Sequence, residues 1–269
     1  MSFRRQFSGI AILTALTCPP GWSEPLPESV VDLAQTEVVL PESPKEQALK
    51  ELEQGRELMR KGFAESAIVH YRKAIELDPQ LIPAYEELGK ILLDTQNQAF
   101  AITIYSKLAE LQPQNPQWKE ILADLYVAYD MPGEAVRVNE DLLQLNPGSA
   151  ELMRKLADLY KKNGLEREEA GMLDRLAQNT QEGRDYYRAG EAWLTLGEPG
   201  EAIRNYQLAA KKDPSNLDYQ NGLGKAYIAG NRSSSAVELY QGMVKSNPEA
   251  PGLKDRLGEA RIAQGDKLM

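Results

Sequence analysis

A phrase of thirteen residues, which begins with alanine and ends with proline, recurs along the chain and constrains its fold more than any other feature. Its clearest copies cover residues 67–79, 101–113, 135–147, 202–214 and 236–248. The closing prolines of the first three copies are 34 residues apart, and so are those of the last two. The interval from Pro147 to Pro214 is 67 residues, one short of two periods, so it contains a further, degenerate copy. Such a period indicates a stack of units in which each contacts only its neighbours.

A second phrase precedes each copy and combines a small residue with large apolar residues at helical spacing. In one example Leu223-Gly224 is followed by Tyr227. The related groups are Leu88-Gly89 with Leu92, Leu122-Ala123 with Tyr126, Leu156-Ala157 with Tyr160, Ala189-Gly190 with Trp193, and the weaker Gly55 with Leu58. Spacings of three and four place these residues on one helical face, where the small residue lets a second helix approach closely. Each unit is therefore predicted to be a helix A, a turn and a helix B.

Helix-breaking residues mark both ends of these predicted helices. Breakers in the turn between helix A and helix B are Gly62, Pro132-Gly133, Gly164, 197–200 and Gly230-Asn231. The Asp-Pro and Asn-Pro pairs should end helix B, because a residue before proline avoids the helical conformation. A single helix of about 12 residues is unstable in water. The predicted helices must therefore be stabilised by stacking on one another.

The period, the turn glycines, the Ala-x-x-x-Tyr-x-x-Ala phrase and the closing proline resemble the tetratricopeptide repeat family over residues 48–265. The resemblance implies an all-α, right-handed α-solenoid of helix–turn–helix repeats. Six repeats are predicted, at 48–81, 82–115, 116–149, 150–182, 183–216 and 217–250. A capping helix follows at 251–265, in which Arg261 takes the place of the aromatic residue, as suits a helix with no successor to cover it.

Residues 1–23 have the composition of a secretory signal peptide. Arg4-Arg5 precede an uncharged apolar run, and Gly21-Trp22-Ser23 place small residues before a cleavage point after Ser23. The run is about 12 residues, short of the roughly 20 that a membrane-spanning helix needs. We therefore expect an exported, soluble protein in the periplasm or another extracytoplasmic compartment. Two alternatives make it membrane-anchored: lipidation of Cys18, although Thr17 is large for the place before such a cut, or an uncleaved signal.

Residues 24–47 form an acidic, proline-containing segment that we predict to be a disordered linker. Its apolar cluster Val38-Val39-Leu40 leaves open an alternative in which the linker occupies the chain's own groove.

The composition of the chain argues against catalysis, nucleic-acid binding and metal binding. A net charge of −9 makes phosphate backbones poor partners. With one cysteine and one histidine, the chain offers neither a disulfide framework nor a thiolate–imidazole zinc site. His70 is interpreted as a surface residue of a helix B, and neither a phosphate-binding glycine loop nor a nucleophile elbow is present. We predict no enzyme, no catalytic residue, no metal, no cofactor and no small-molecule substrate.

The resemblance implies that one face of every helix A lines a concave groove, and one position on that face is apolar in six of seven helices. These six residues, here called the apolar column, are Met59, Leu93, Val127, Leu194, Ile228 and Ile262. The candidate groove also includes Tyr187, Arg154 and Lys161. Two interpretations of the column remain open: it contacts a partner segment, or it covers the neighbouring helix. Arg154 and Lys161 belong to a locally basic fourth repeat, which either has diverged or docks an acidic segment.

The paired Lys and Asn with which related proteins grip acidic chaperone tails are absent from the matching positions Leu52, Glu86, Glu120 and Asp124. The predicted function is a non-catalytic protein–protein interaction scaffold of an exported compartment, with a protein or peptide as its partner. The alternatives are a chaperone-like holder of exported clients and a membrane-anchored lipoprotein assembly factor. Membrane contact is expected only if Cys18 is lipidated or the signal is uncleaved.

Overall fold

A computed structural model describes residues 42–95 and 97–265, and within these ranges the chain contains thirteen helices and no strand. The chain divides into two compact units, at residues 1–81 and 82–269. In the first unit the helices are α1 (Pro44–Arg60) and α2 (Ala64–Leu77). In the second unit they are α3 (Ile82–Asp94), α4 (Gln98–Leu111), α5 (Pro116–Ala128), α6 (Pro132–Leu145), α7 (Ala150–Lys162), α8 (Glu166–Thr180), α9 (Gly183–Thr195), α10 (Pro199–Lys212), α11 (Leu217–Ala229), α12 (Ser233–Ser246) and α13 (Leu253–Gly265). The predicted all-α repeat solenoid is confirmed.

Helix α1 begins at Pro44, four residues before the predicted start of the repeats at 48. Ser43 Oγ accepts a hydrogen bond from the Glu46 N–H at 3.3 Å, and the Glu46 carboxylate accepts one from the Ser43 N–H at 2.9 Å. This reciprocal cap satisfies the free amides of the first turn, where Pro44 has none to satisfy. The end of the predicted linker is therefore helical. Residues 24–41 of that linker and the predicted signal lie outside the described residues.

Each described turn between a helix A and a helix B contains one residue in the left-handed conformation, with φ between 54° and 83°. These residues are Gly62, Asp130, Gly164, Gly197 and Asn231. The structure corrects the predicted turn at Pro132-Gly133, because both residues belong to the first turn of α6. Proline is favoured there because the first helical N–H has no partner within the helix.

The predicted stops of helix B follow the proline rule in five of the helices. The residue before each proline leaves the helical region, as Asp78 and Asp213 do with ψ above 90°. Helix α8 has no such proline and ends instead on Gln181 in the left-handed conformation. Asp185, which is fully buried, accepts hydrogen bonds from Thr180 Oγ1 at 2.8 Å and Arg154 Nη2 at 3.3 Å. Side-chain hydrogen bonds thus replace the proline at this junction.

Buried tyrosines of four B helices pack on glycines of the preceding A helices. The pairs are Tyr71 with Gly55, Tyr105 with Gly89, Tyr206 with Gly190, and Tyr240 with Gly224. A methyl group on Gly55 would come within 2.5 Å of the Tyr71 ring, so only glycine permits this approach. The third and fourth pairs of helices differ at the equivalent positions. They carry Ala123 with Asn139 and Ala157 with Asp174.

None of the helices within 42–95 and 97–265 combines the length and the apolar character that crossing a bilayer requires.

Candidate functional site

The structure divides the apolar column into exposed and partly buried members. Met59 in the first unit and Val127 and Ile262 in the second are exposed, with Val127 48% and Ile262 67% accessible to solvent. Leu93 on α3 is half-buried. Side chains with this exposure can make contact with another molecule without any rearrangement of the core.

Two other members of the column contact the core. Leu194 packs on a buried cluster that includes Ile203 and Tyr206, and Ile228 packs on one that includes Val237 and Tyr240. For these two residues the structure favours the interpretation in which the side chain covers a neighbouring helix. Binding of a partner by the column stays a prediction.

Tyr187, a predicted groove residue, is half-buried between two other aromatic rings. Its ring centroid lies 5.5 Å from that of Tyr206 and 5.4 Å from that of Tyr219. Burial raises the pKa of the Tyr187 phenol to about 12, and its hydrogen bond with the Glu191 carboxylate acts in the same direction. The hydroxyl therefore stays protonated at physiological pH, and the ring has a packing role within α9 to α11.

The two predicted basic residues of the fourth repeat have carboxylate partners within the chain. Arg154 contacts the buried Asp185, and Lys161 Nζ lies 3.8 Å from Glu169 Oε1. The adjacent Lys162 lies 2.6 Å from Asp130. An acidic segment docking here would have to compete with these internal ion pairs. A cavity of about 370 Å³ beside Lys161 contains charges of both signs, from Arg188 and Glu191 among others.

His70 is half-buried, which corrects its interpretation as a surface residue. Its Nδ1 lies 2.7 Å from the Glu51 carboxylate of α1, which also contacts Lys73 Nζ at 2.5 Å. The hydrogen bond from Lys73 holds the pKa of Glu51 below its ordinary value, with burial opposing it and His70 adding to it. These contacts join α1 to α2 and give His70 a structural role.

Sequence reasoning missed the largest cavity that we describe, which measures about 650 Å³ and lies among α5, α6 and α7. We call it the Asn139 cavity. Its lining includes Glu120, Ala123, Asp124, Asn139, Leu142, Leu145, Glu151, Leu152 and Lys155. The signal for it was present in the recurrent phrase, because Asn139 stands where four copies have tyrosine.

Within the described ranges, no group of three or more His, Cys, Asp or Glu side chains is arranged to hold a metal ion.

Comparisons with known protein families and structures agree with the repeat pattern. A TPR repeat family model matches residues 55–96, and a tetratricopeptide repeat model matches residues 180–251. No curated protein sequence matches the chain. A chain in the structure of Naa15/Naa10 bound to HypK-THB is 16% identical with a TM-score of 0.57, over 87% of this chain and 35% of that one. At that identity the likeness shows the fold alone.

Two further solved structures are similar at lower TM-scores. YrrB, described as a TPR protein with an unusual peptide-binding site, is 18% identical over 66% of this chain and 92% of its own, with a TM-score of 0.43. A tetratricopeptide repeat protein from Parabacteroides merdae ATCC 43184 is 18% identical over 82% and 88%, with a TM-score of 0.41. The recurrent sequence phrases, the helix pairs and the two matching repeat models together show that this chain belongs to the tetratricopeptide repeat family, whose domains typically bind proteins or peptides.

Proposed function

We propose that this protein is a non-catalytic interaction scaffold of an exported compartment, and that it binds an extended segment of a partner protein along the members of the apolar column that lie in the second unit. The family supports the general role of a protein-binding scaffold. The apolar column supports the particular surface, and the first 23 residues of the sequence support the compartment.

The exposure of Val127 and Ile262 is the observation that carries the proposal. Both are apolar side chains at equivalent positions of A helices, with charged residues beside them such as Asp124 and Glu259. A solvated helix position has no physical requirement for an apolar residue. Rows of exposed apolar residues surrounded by charge usually mark interaction surfaces.

Photo-crosslinking tests whether this surface meets a partner. Benzoylphenylalanine replaces Val127 in the full chain, and living cells that produce this variant are irradiated. The crosslinked products are then identified by mass spectrometry. The control carries the same group at Val69, which is 64% exposed on α2 and lies outside the column. We expect one dominant product from position 127 and none from position 69. A broad mixture of products would favour a holder of exported clients, and equal products at both positions would reject the surface.

Mass determination of the N-terminus of the mature protein tests the compartment. Cleavage after Ser23 removes the only cysteine of the chain and leaves Glu24 as the first residue. A diacylated Cys18 at the N-terminus would instead place the protein on a membrane. An intact Met1 in a cytoplasmic fraction would contradict export.

A further inference from the structure

We propose that the Asn139 cavity is a subsite for one lysine or arginine side chain of the bound partner segment. The proposal rests on the function proposed above and adds the chemistry of the partner. It combines the loss of a tyrosine at one repeat, an unpaired acceptor on the cavity and a pair of carboxylates that no cation neutralises.

The cavity exists because two small side chains replace a close-packed pair. In four other helix pairs a buried tyrosine fills the space beside a glycine. At the equivalent positions here, Ala123 lies on α5 and Asn139 on α6, and both line the cavity. An asparagine side chain is several atoms shorter than a tyrosine side chain. The space that a tyrosine ring occupies elsewhere is therefore open in this repeat.

Asp174 replaces the same tyrosine in the next repeat but creates no comparable need for a ligand. Its carboxylate accepts hydrogen bonds from Trp193 Nε1 at 3.0 Å, Arg204 Nη2 at 3.0 Å and Asn205 Nδ2 at 2.7 Å. The chain itself thus supplies every donor that Asp174 needs. Asn139 has no such set of donors around it.

The side-chain oxygen of Asn139 is left without a donor. The residue is only 3% exposed, and its Nδ2 donates to the Ala135 carbonyl at 2.8 Å. That bond fixes the orientation of the amide, because a carbonyl can only accept. No donor within the described ranges reaches Oδ1. Oδ1 is not one of the fully buried unpaired atoms of the described residues, so it is accessible from the cavity and can accept a hydrogen bond from a ligand there.

The charges around the cavity select a cation. Lys155 Nζ lies 3.4 Å from Glu151 Oε1, so the charges of these two residues neutralise each other. Glu120 and Asp124 are exposed on α5 and form no ion pair within the part of the chain that we describe. The lining therefore carries two uncompensated negative charges, which attract a positive group and repel a carboxylate.

The apolar part of the lining suits a long aliphatic stem. Ala123, Leu142, Leu145 and Leu152 contribute to the same cavity as the acidic residues. Lysine and arginine bury their methylene stems on apolar surface and carry only donors at the charged end. Residues 24–41 of this chain contain no lysine or arginine, so this segment cannot supply the cation.

A set of three peptides tests the subsite in the full, isotopically labelled chain by NMR titration. The probe is acetyl-Ala-Val-Lys-Val-Ala-amide, and its two counterparts carry norleucine or glutamate in place of lysine. We expect the lysine peptide to shift the side-chain amide signals of Asn139. It should bind at least tenfold more tightly than the norleucine peptide, and higher salt should reduce the difference. The glutamate peptide should not bind.

Three variants locate the interaction. Ala123→Gly with Asn139→Tyr rebuilds the glycine–tyrosine pair of the other repeats and fills the cavity. Asn139→Leu keeps a side chain of similar size but removes the acceptor, together with the Nδ2 donor to the Ala135 carbonyl. Glu120→Gln with Asp124→Asn removes the two charges, and Glu65→Gln with Glu76→Gln on α2 is its charge-matched control. Each of the three variants should weaken binding of the lysine peptide at least tenfold, while its helical circular dichroism stays that of the wild type. The control should bind like the wild type.

The subsite is rejected if the lysine peptide binds no more tightly than the norleucine peptide. It is also rejected if the folded Asn139→Leu and cavity-filled variants bind it as the wild type does. Crosslinking at Val127 separates this failure from failure of the proposed function. If position 127 gives a single crosslinked product but the chain shows no preference for the lysine peptide, only the subsite is rejected. If position 127 gives no dominant product and the lysine peptide is not preferred, the groove is rejected as well.

Discussion

Asp174 and Asn139 occupy positions at which four other B helices carry a buried tyrosine, and the two residues have opposite consequences. Asp174 is 13% exposed and joins α8, α9 and α10 through three hydrogen bonds. Asn139 uses its amide nitrogen within α6 and leaves its oxygen on a cavity. Single polar replacements inside a repeat array thus produce either a structural junction or a binding site, depending on whether donors surround them.

Replacement of Asp174 by alanine is expected to destabilise the second unit by about 3 kcal/mol. The change removes the acceptor of the Trp193 indole N–H and one of the two acceptors of the Asn205 amide, which keeps its bond to the Glu201 carbonyl. A buried donor left unpaired costs about 1–3 kcal/mol. Urea unfolding followed by circular dichroism measures the effect. Asp158→Ala is the control, because its ion pair with Arg188 lies on the surface, with Asp158 69% exposed. A change within about 0.5 kcal/mol is expected for the control. Equal effects of the two variants would contradict the assigned role of Asp174.

At the scale of helices, packing depends on where glycine lies opposite tyrosine. Tyr206 on α10 packs against Gly190 on α9 and Gly222 on α11. Gly171 is also inside a helix, α8, but a methyl group added to it would meet no neighbouring atom within 4 Å. Gly190 and Gly171 have the same helix propensity, and they differ in their neighbours: Gly190 faces the Tyr206 ring, whereas Gly171 faces no neighbouring atom.

Gly190→Ala and Gly171→Ala should therefore change stability in opposite directions. Alanine at Gly171 should stabilise α8 by up to about 1 kcal/mol, the difference in helix propensity between the two residues. Alanine at Gly190 gains the same helix propensity but places a methyl group 2.9 Å from the Tyr206 ring. Overpacking of this kind costs about 1–3 kcal/mol, so a net loss is expected. Thermal unfolding of the two variants side by side measures the signs. Stabilisation by Gly190→Ala would contradict the close packing.

The helices could be predicted from sequence because their determinants are local and repeated. Proline ends helix B through the conformation of the preceding residue, as at Asp78 and Asp213. The turn at Asp130 was missed because an aspartate rather than a glycine adopts the left-handed conformation there. The start of α1 was missed because the Ser43–Glu46 cap extends the helix into a proline-containing segment.

The candidate site was less predictable, since it depends on contacts between helices. Helical spacing put Leu194 and Val127 in one column, but whether a neighbouring helix covers each depends on tertiary packing. Likewise, the sequence placed Arg154 in a locally basic repeat, and only the structure shows its hydrogen bond to Asp185, 31 residues further along. The Asn139 cavity could have been found from the departure of one residue from the repeated phrase.

At the scale of the whole molecule, the helices of each unit bury their apolar faces on one another and leave selected side chains accessible. Apolar residues on the partner-facing side are useful only if the fold does not need them. Val127 and Ile262 meet that condition because both are exposed, whereas Leu194 and Ile228 do not. Stability and partner binding should therefore be separable by mutation in this protein.

The separation of stability from partner binding is tested most directly by the melting temperature and the partner affinity of one double variant, which carries both Val127→Asp and Ile262→Asp. The partner is the protein crosslinked at Val127, and Val69→Asp on α2 is the control. Surface substitutions usually stay within about 0.5 kcal/mol, so melting should shift by no more than about 2–4 °C. Affinity should fall at least tenfold in the double variant and stay unchanged in the control. A folded double variant of wild-type stability that binds the partner with wild-type affinity would contradict the account.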